Sequence, residues 1–213
     1  MPNIPGAAGA NPARWLSKKI GLPVTIENDA RCFAYAEALL GAGKGKRVVL
    51  GVTLGTGVGA GIVIDGELFY GARGFAGEVG HMLLQPGTPP FETADKRGEV
   101  EQFLSGTALG KRCTQAKSPQ DYLDGPACDF LHADLFREIA WLVVNVMHLV
   151  DPSIVVFGGS VGKALKPHLP AIREELKRWL LPGITPPELA CRTLLHSSVI
   201  GAALVARRIS EKD

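Results

Sequence analysis

The sequence predicts a mixed α/β fold in which hairpin strands precede most of the helices. β-Branched and apolar residues run from Val48 to Leu54 and again from Ala60 to Ile64, as in buried strands. Between Leu135 and Val150, apolar residues recur every three or four positions, which indicates a core helix. A chain of 213 residues, 46% of them apolar, is long enough to bury a sizeable core.

Two helices are predicted before the first strand. Asn11 can cap a helix that has Pro12 at its first position and ends near Gly21. A second helical pattern starts at Asn28-Asp29 and continues to Gly41, so one of these two polar residues lies at a helix N-terminus.

The central part of the chain predicts an antiparallel meander. Asp65-Gly66 supplies a tight turn between the strand at 60–64 and a third strand, Glu67 to Tyr70. The stretch from Gly87 to Arg97 is rich in Pro and Thr, which is typical of an exposed loop.

The C-terminal half alternates helices with one strand. A helix is expected over Glu101 to Arg112, followed by the core helix that ends at Val150. Ile154 to Phe157 predicts a short buried strand, and helices are expected from Lys163 to Leu180 and from Val199 to Ile209.

Composition excludes several classes of protein. The chain has 23 basic and 21 acidic side chains, a balance too even to imply a nucleic-acid surface. Its apolar stretches fall short of the roughly 18 to 20 residues of a membrane span. The four cysteines form no C-x-x-C pair, which predicts reduced thiols in a cytoplasmic protein: Cys32, Cys113, Cys128 and Cys191.

Alternating glycines follow the first strand in the segment Leu54 to Gly61. Such a backbone can turn its amides toward an anion, and Thr56 adds a hydroxyl donor. The spacing Gly55-x-Gly57-x-x-Ala60 also satisfies the dinucleotide fingerprint, but that fingerprint needs a helix where a strand follows here. A phosphate-cradling turn and a hairpin that needs glycine only for packing both stay open.

Three further groups of residues suit a polar ligand but have plain structural explanations too. Asp29 is either a helix cap or a general base that accepts a hydroxyl proton. Glu78, His81 and Glu101 suit vicinal hydroxyls, although a histidine of this kind is often structural. Gly158-Gly159 ends a strand and is either an ordinary turn or a flat seat for adenosine.

Taken in order, these segments resemble the bacterial ROK family of sugar kinases and sugar-responsive repressors, in particular its glucokinase, N-acetylglucosamine kinase and fructokinase types. The resemblance implies the actin-like ATPase (ribonuclease H-like) fold, with a mixed sheet flanked by helices. The matching segments are Pro2–Gly6, Glu27–Ala30, Leu54–Gly61, Gly77–His81, Glu101–Gly106 and Asp151–Gly159.

The family resemblance implies ATP-dependent phosphorylation of a hexose or N-acetylhexosamine at its 6-hydroxyl, with Mg²⁺ accompanying ATP. Asp29 would be the catalytic base on that hydroxyl. The other sugar hydroxyls would be bound by Asn28, Glu78, His81 and Glu101. The nucleotide would be bound by Gly55, Thr56, Gly57 and Gly59 at the phosphates and by Gly158 and Gly159 at the adenosine.

Two departures from the family pattern concern the sugar end. The family's cysteine-rich zinc loop corresponds here to residues 92–99, which contain no cysteine, so no structural zinc is expected and sugar contact by His81 is less secure. The last residue of the Asn-Asp motif is usually asparagine and is Arg31 here, which predicts an altered contact.

A larger departure lies ahead of the first matching segment. Family members begin with an Asp-x-Gly-x-Thr phosphate hairpin in an N-terminal lobe, and this chain starts after it. Phosphoryl transfer depends on positioning and charge neutralisation, so we expect that the isolated 213 residues can be inactive. A truncated piece, a misassigned start codon or true degeneration would each explain the absence.

The resemblance divides the chain into three parts. Residues 1–28 would be a remnant of the N-terminal lobe with a sugar-binding loop, and residues 29–198 the C-terminal kinase lobe. Residues 199–213 would form a helix that packs back on the N-terminal lobe.

Three functions stay open at this stage. A sugar kinase leads, and the effector domain of a ROK-type repressor without kinase activity is the alternative. A non-catalytic remnant that pairs with another subunit is the third. We expect a small-molecule sugar as ligand, a homodimer, and no nucleic-acid or membrane partner.

Overall fold

The structure, a computed structural model, describes residues 11–210 and is built around one five-stranded mixed sheet with helices on both faces. The segments Pro2–Gly6 and 211–213 lie outside the described residues. The strands are β1 (Val48–Leu54), β2 (Val58–Ile64), β3 (Glu67–Leu68), β4 (Ile154–Gly158) and β5 (Glu188–Cys191). The helices are α1 (Pro12–Ile20), α2 (Asp29–Leu39), α3 (Val100–Leu104), α4 (Gly106–Arg112), α5 (Asp121–Asp124), α6 (His132–Val150), α7 (Gly159–Ala164), α8 (Leu169–Lys177) and α9 (Ser197–Ser210).

The strand order is β3-β2-β1-β4-β5. Strands β1, β2 and β3 form the predicted antiparallel meander, although β3 ends at Leu68 instead of Tyr70. Strand β4 pairs with β1 in parallel, and β5 pairs with β4 in parallel. The sequence analysis missed β5, because its four residues have no alternating or continuous apolar pattern.

The sheet separates two apolar cores. Because successive side chains point to opposite faces of a strand, Val155 and Phe157 of β4 enter the larger core with α6 and α8. Ile154 and Val156 enter the smaller core with α2 and α9. Helix α9 packs against α2 so closely that a Cβ at Gly201 would lie 1.8 Å from the Cys32 carbonyl oxygen.

Two predicted helices are interrupted. The helix expected over 101–112 is divided at Ser105, whose Oγ accepts a hydrogen bond from the Ala108 amide and so caps α4. The helix expected over 163–180 is divided into α7, a 3₁₀ turn and α8, with Pro167 and Pro170 at the starts of the last two. Proline lacks an amide hydrogen and is tolerated only in a first turn, which explains the break.

The expectation of four reduced thiols is wrong for two of them. Cys113 and Cys128 form a disulfide across the loop that joins α4 to α6. Cys32 and Cys191 are free. The pairing depends on how this loop folds back, which sequence spacing alone does not reveal. Within residues 11–210, none of the helices combines the length and apolar character that a membrane span needs.

A buried ion pair ties α4 to α6. The Arg112 guanidinium donates two hydrogen bonds to the Glu138 carboxylate, at 2.7 and 2.9 Å, and a third to the Phe103 carbonyl oxygen at 3.0 Å. Burial raises the pKa of Glu138 and the arginine opposes this shift. The arginine is therefore what makes a charged carboxylate tolerable at this position.

Arg112→Met should destabilise the protein by about 3 to 5 kcal/mol, because it leaves the Glu138 carboxylate buried without its cation. Urea unfolding of the wild type and the variant measures the change. Arg47→Met is the matched control, since the Arg47–Asp65 pair is largely exposed. Equal unfolding midpoints for the two variants would contradict this account of the pair.

Candidate functional site

A cleft of about 660 Å³ opens beyond the carboxyl ends of β1 and β4, where the N-terminus of α2 meets the turn between β1 and β2. The carboxyl ends of parallel strands are a common place for ligand sites in α/β folds. Most of the predicted site residues line the cleft: Asn28, Asp29, Gly55, Thr56, Gly57, Gly59, Glu78, Glu101 and Gly159. Two predicted residues, His81 and Gly158, are not among its lining residues.

Asn28 and Asp29 form the first turn of α2. The Asn28 Oδ1 accepts hydrogen bonds from the amides of Ala30 and Arg31, at 2.9 and 3.1 Å, so this side chain caps the helix. Its side-chain nitrogen carries two N–H donors, and Asn28 lines the cleft. The Asp29 carboxylate is exposed at the helix N-terminus, where the helix dipole favours a negative charge.

Glu101 is held against the glycine turn. Its Oε2 accepts a hydrogen bond from the Val58 amide at 2.8 Å. A Cβ at Gly57 would lie 2.5 Å from the same oxygen, which explains why glycine stands there. The turn leads from one strand directly into another, so the dinucleotide fingerprint is excluded.

The turn is also fastened to the start of α4. The Gly106 amide donates to the Gly55 carbonyl oxygen at 2.6 Å, and the Thr107 hydroxyl donates to the Thr56 carbonyl oxygen at 2.7 Å. The carbonyl oxygens of Gly55 and Thr56 therefore both accept hydrogen bonds from α4. The cleft-lining carboxylate of Glu101 and the glycine turn thus form one connected unit.

Glycine is required where β4 meets α7. Gly159 has φ +78°, and a Cβ there would lie 2.3 Å from the Leu54 carbonyl oxygen. A Cβ at Gly158 would lie 2.4 Å from the ring of Phe33, and this ring lines the cleft. Gly158 therefore packs against Phe33, which lines the cleft, whereas Gly159 lines the cleft itself.

His81 is placed beside the cleft. Its Nδ1 lies 3.3 Å from Glu99 Oε2, and its side chain is 59% exposed. The Arg97 guanidinium approaches the same Glu99 oxygen at 3.2 Å. Glu99 thus contacts His81 in the loop that corresponds to the family's zinc loop.

Hydrogen bonds close that cysteine-free loop. The Gln102 Oε1 accepts from the amides of Gly98 and Glu99, at 2.7 and 3.2 Å, and its Nε2 donates to Asp95 at 2.8 Å. Hydrogen bonds lower the pKa of the Asp95 carboxyl group. The bond from the Gln102 side chain has the largest effect, and the bond from the Arg97 amide the next largest. Across residues 11–210, no group of three or more His, Cys, Asp or Glu side chains could hold a metal ion.

The sequence analysis missed the basic residues of the cleft. Lys163 lies on α7, and Arg192 and His196 lie between β5 and α9. Lys163 follows Gly158-Gly159 by one helical turn, which is a signal that could have suggested a ligand contact. Arg192 had no such signal, because β5 itself was not predicted.

A buried carboxylate holds the segment that carries these residues. Glu37 of α2 is fully buried and accepts hydrogen bonds from the amides of Ala42, Thr193 and Leu194 and from the hydroxyls of Thr193 and Ser197. This segment includes His196 and Ser197, which line the cleft. Helix α2 thereby joins both ends of the cleft.

Comparisons with known proteins agree with this geometry. Residues 1–209 match the ROK family. The chain is 33% identical over 220 residues to an N-acetylgalactosamine kinase of Shewanella sp. (strain ANA-3), covering 95% of this chain and 71% of that protein. It is 35% identical over 177 residues to an N-acetyl-D-glucosamine kinase of Photobacterium profundum, covering 75% of this chain and 58% of that protein.

A solved structure extends the likeness to three dimensions. The ROK family glucokinase of Streptomyces griseus, in complex with glucose and AMPPNP, superposes with a TM-score of 0.72 at 31% identity, over 92% of this chain and 72% of that one. The chain therefore belongs to the ROK family and has its actin-like ATPase fold. Within that family, its named relatives place it with the sugar kinases.

Gly57→Ala should break the Val58–Glu101 hydrogen bond, because the new Cβ takes the place of the carboxylate oxygen. We expect a loss of about 1 kcal/mol in stability, typical of one hydrogen bond, and faster exchange of the Val58 amide hydrogen. Gly55→Ala is the matched control in the same turn, since a Cβ there meets nothing within 4 Å. Unchanged Val58 exchange in Gly57→Ala would contradict the assigned contact.

Proposed function

We propose that this chain forms the sugar and nucleotide cleft of an ATP-dependent kinase that phosphorylates a hexose or N-acetylhexosamine at its 6-hydroxyl. The observation that carries the proposal is that Asp29, Glu78 and Glu101 line the same cleft as the glycine turn 55–59. A carboxylate base and a phosphate-binding turn are two of the parts that such a transfer requires. In this proposal residues 29–198 form the kinase lobe.

The proposed reaction uses Asp29 as the general base. Its carboxylate takes the proton of the 6-hydroxyl while that oxygen forms a bond to the γ-phosphorus of ATP. The bond from this phosphorus to the β,γ-bridging oxygen breaks, so the products are sugar 6-phosphate and ADP. Its position at the exposed start of α2 supports this role, because a base must reach both substrate and solvent.

The remaining sugar hydroxyls would be bound by Asn28, Glu78 and Glu101. The carboxylates accept hydrogen bonds from hydroxyl groups, and the Asn28 amide donates to a sugar oxygen. His81 is the last residue of the 3₁₀ turn that follows Glu78, and in this proposal it meets the sugar at the cleft edge. Glu99 would orient its ring there.

The nucleotide would occupy the other end of the cleft. The amides of Thr56 and Gly57 suit phosphate oxygens, whereas the amides of Gly55 and Val58 donate to the Gly57 carbonyl oxygen and to Glu101. The Gly158-Gly159 bend suits adenosine. Lys163 and Arg192 add positive charge on this side. MgATP would enter as the substrate. The glucokinase of S. griseus was crystallised with AMPPNP, which supports ATP as the donor.

Asp29→Asn tests the role of the base. We expect phosphorylation of glucose or N-acetylglucosamine by MgATP to fall by about 10³-fold or more, within the range that general base catalysis and charge contribute. Sugar binding, measured by calorimetry, should stay within about threefold because the side chain keeps its shape and a hydrogen-bonding oxygen. Normal turnover in Asp29→Asn would exclude this residue as the base.

Turnover of sugar and ATP by the wild-type chain would favour the kinase over the effector domain of a repressor. Sugar binding without ATP consumption would fit both that domain and a kinase whose isolated 213 residues are inactive. The expected homodimer is also part of the proposal, and sedimentation equilibrium of the wild type tests it.

Lys163→Ala should raise the KM for ATP by about 5- to 20-fold and leave the KM for sugar unchanged, because one cation near phosphate contributes about 1 to 2 kcal/mol. Steady-state kinetics with each substrate varied in turn measure this effect. Lys44→Ala is the control, since Lys44 is exposed and does not line the cleft. Equal effects on both KM values would contradict a nucleotide-side position for Lys163.

A further inference from the structure

Arg31 lies behind the sugar end of the cleft. It is the third residue of α2, its side chain is 12% exposed, and it is not among the lining residues of the cleft. It therefore does not contact a ligand directly. Its role must be sought in the groups that surround it.

The Arg31 guanidinium joins three separate segments of the chain. Its Nη1 lies 3.6 Å from Glu27 Oε1, and its Nη2 lies 3.8 Å from Glu78 Oε1. The Nη2 also donates a hydrogen bond to the Gly74 carbonyl oxygen. The guanidinium carbon is 5.4 Å from the centre of the Tyr70 ring, within the range of a cation–π contact.

Tyr70 and Glu27 hold the arginine from the other side. The Tyr70 hydroxyl donates a hydrogen bond of 2.6 Å to Glu27 Oε2. Burial and this bond raise the pKa of Tyr70, so its hydroxyl keeps the proton that it donates. The arginine is thus held in one place by a ring, a carboxylate and a carbonyl group.

Glu78, in contrast, has little support of its own. Its side chain is 44% exposed, and it follows a loop with left-handed glycines at positions 74 and 77. Within residues 11–210, Arg31 is the cation that reaches ion-pair distance of Glu78. Without it, the carboxylate would sample several rotamers, at a cost in entropy whenever a ligand binds.

We propose that Arg31 is a positioning residue that orients Glu78 at the sugar end of the cleft and thereby determines which pattern of sugar hydroxyls is accepted. This inference rests on the proposed function. It concerns the residue by which the chain departs from the usual family motif.

The test is a double-mutant cycle with Arg31→Met, Glu78→Gln and the double variant, with the Kd of N-acetylglucosamine and of glucose measured by calorimetry and kcat/KM for both sugars measured with MgATP. Arg31→Met should weaken sugar binding and lower kcat/KM by up to about tenfold and change the ratio of the values for the two sugars, because Glu78 is no longer held in one orientation toward the sugar hydroxyls. The KM for ATP should not change. In the Glu78→Gln background, Arg31→Met should have no further effect.

Two further variants serve as controls. Arg47→Met removes an exposed arginine remote from the cleft and should leave all kinetic values unchanged. Arg31→Lys keeps the charge but loses the planar fork, and should restore part of the lost kcat/KM and of the sugar preference. Melting temperatures identify any variant that fails to fold. If Arg31→Met fails to fold, the comparison of Arg31→Lys with the wild type is the test.

The outcomes separate this inference from the proposed function. A wild type that neither binds nor phosphorylates sugar would overturn the proposed function and this inference with it. A wild type that binds sugar, in which Arg31→Met loses as much in the Glu78→Gln background as alone, would overturn the inference only.

Discussion

The close packing of α2 on the β1–β2 hairpin is the constraint on which the cleft depends. A Cβ at Gly51 would lie 2.6 Å from the Ala34 Cα, and a Cβ at Gly61 would lie 2.8 Å from the Arg31 Cα. These two glycines face each other across the pair of strands, so the helix lies directly on the sheet. Its N-terminus, with Asp29, consequently lies beside the turn that follows β1. A larger side chain on this face would separate the carboxylate from the glycine turn.

Around that contact, polar side chains connect the two ends of the cleft. Glu101 bonds to the glycine turn through the Val58 amide, and α4 bonds to the same turn through Gly106. Glu37, on the last turns of α2, accepts hydrogen bonds from the segment 193–197, part of which lines the cleft. One helix therefore carries the proposed base at its start and anchors another wall of the cleft near its end. Such sharing explains how a small number of contacts can set the geometry of the cleft.

Local signals in the sequence were sufficient for much of the fold and of the cleft. The capping residues Asn11 and Asn28 begin their helices where predicted, and the glycine segment forms a hairpin turn. Other features escaped because they arise between distant residues. The strand β5 needs β4 as a template, and the Cys113–Cys128 bond needs a folded loop. His81 lies beside Glu99, which is 18 residues further along the chain, and is not among the lining residues of the cleft.

The sequence by itself determined the starts of α1 and α2, the hairpin and the identity of the motif residues, because hydrophobic periodicity, capping and turn chemistry act over a few neighbouring positions. Only the tertiary structure decided that Arg31 contacts Glu78, that Lys163 and Arg192 share one cleft, and that Glu37 is bound by residues near position 195. These contacts join residues dozens of positions apart. Their geometry follows from how the helices pack on the sheet, and no local pattern encodes it.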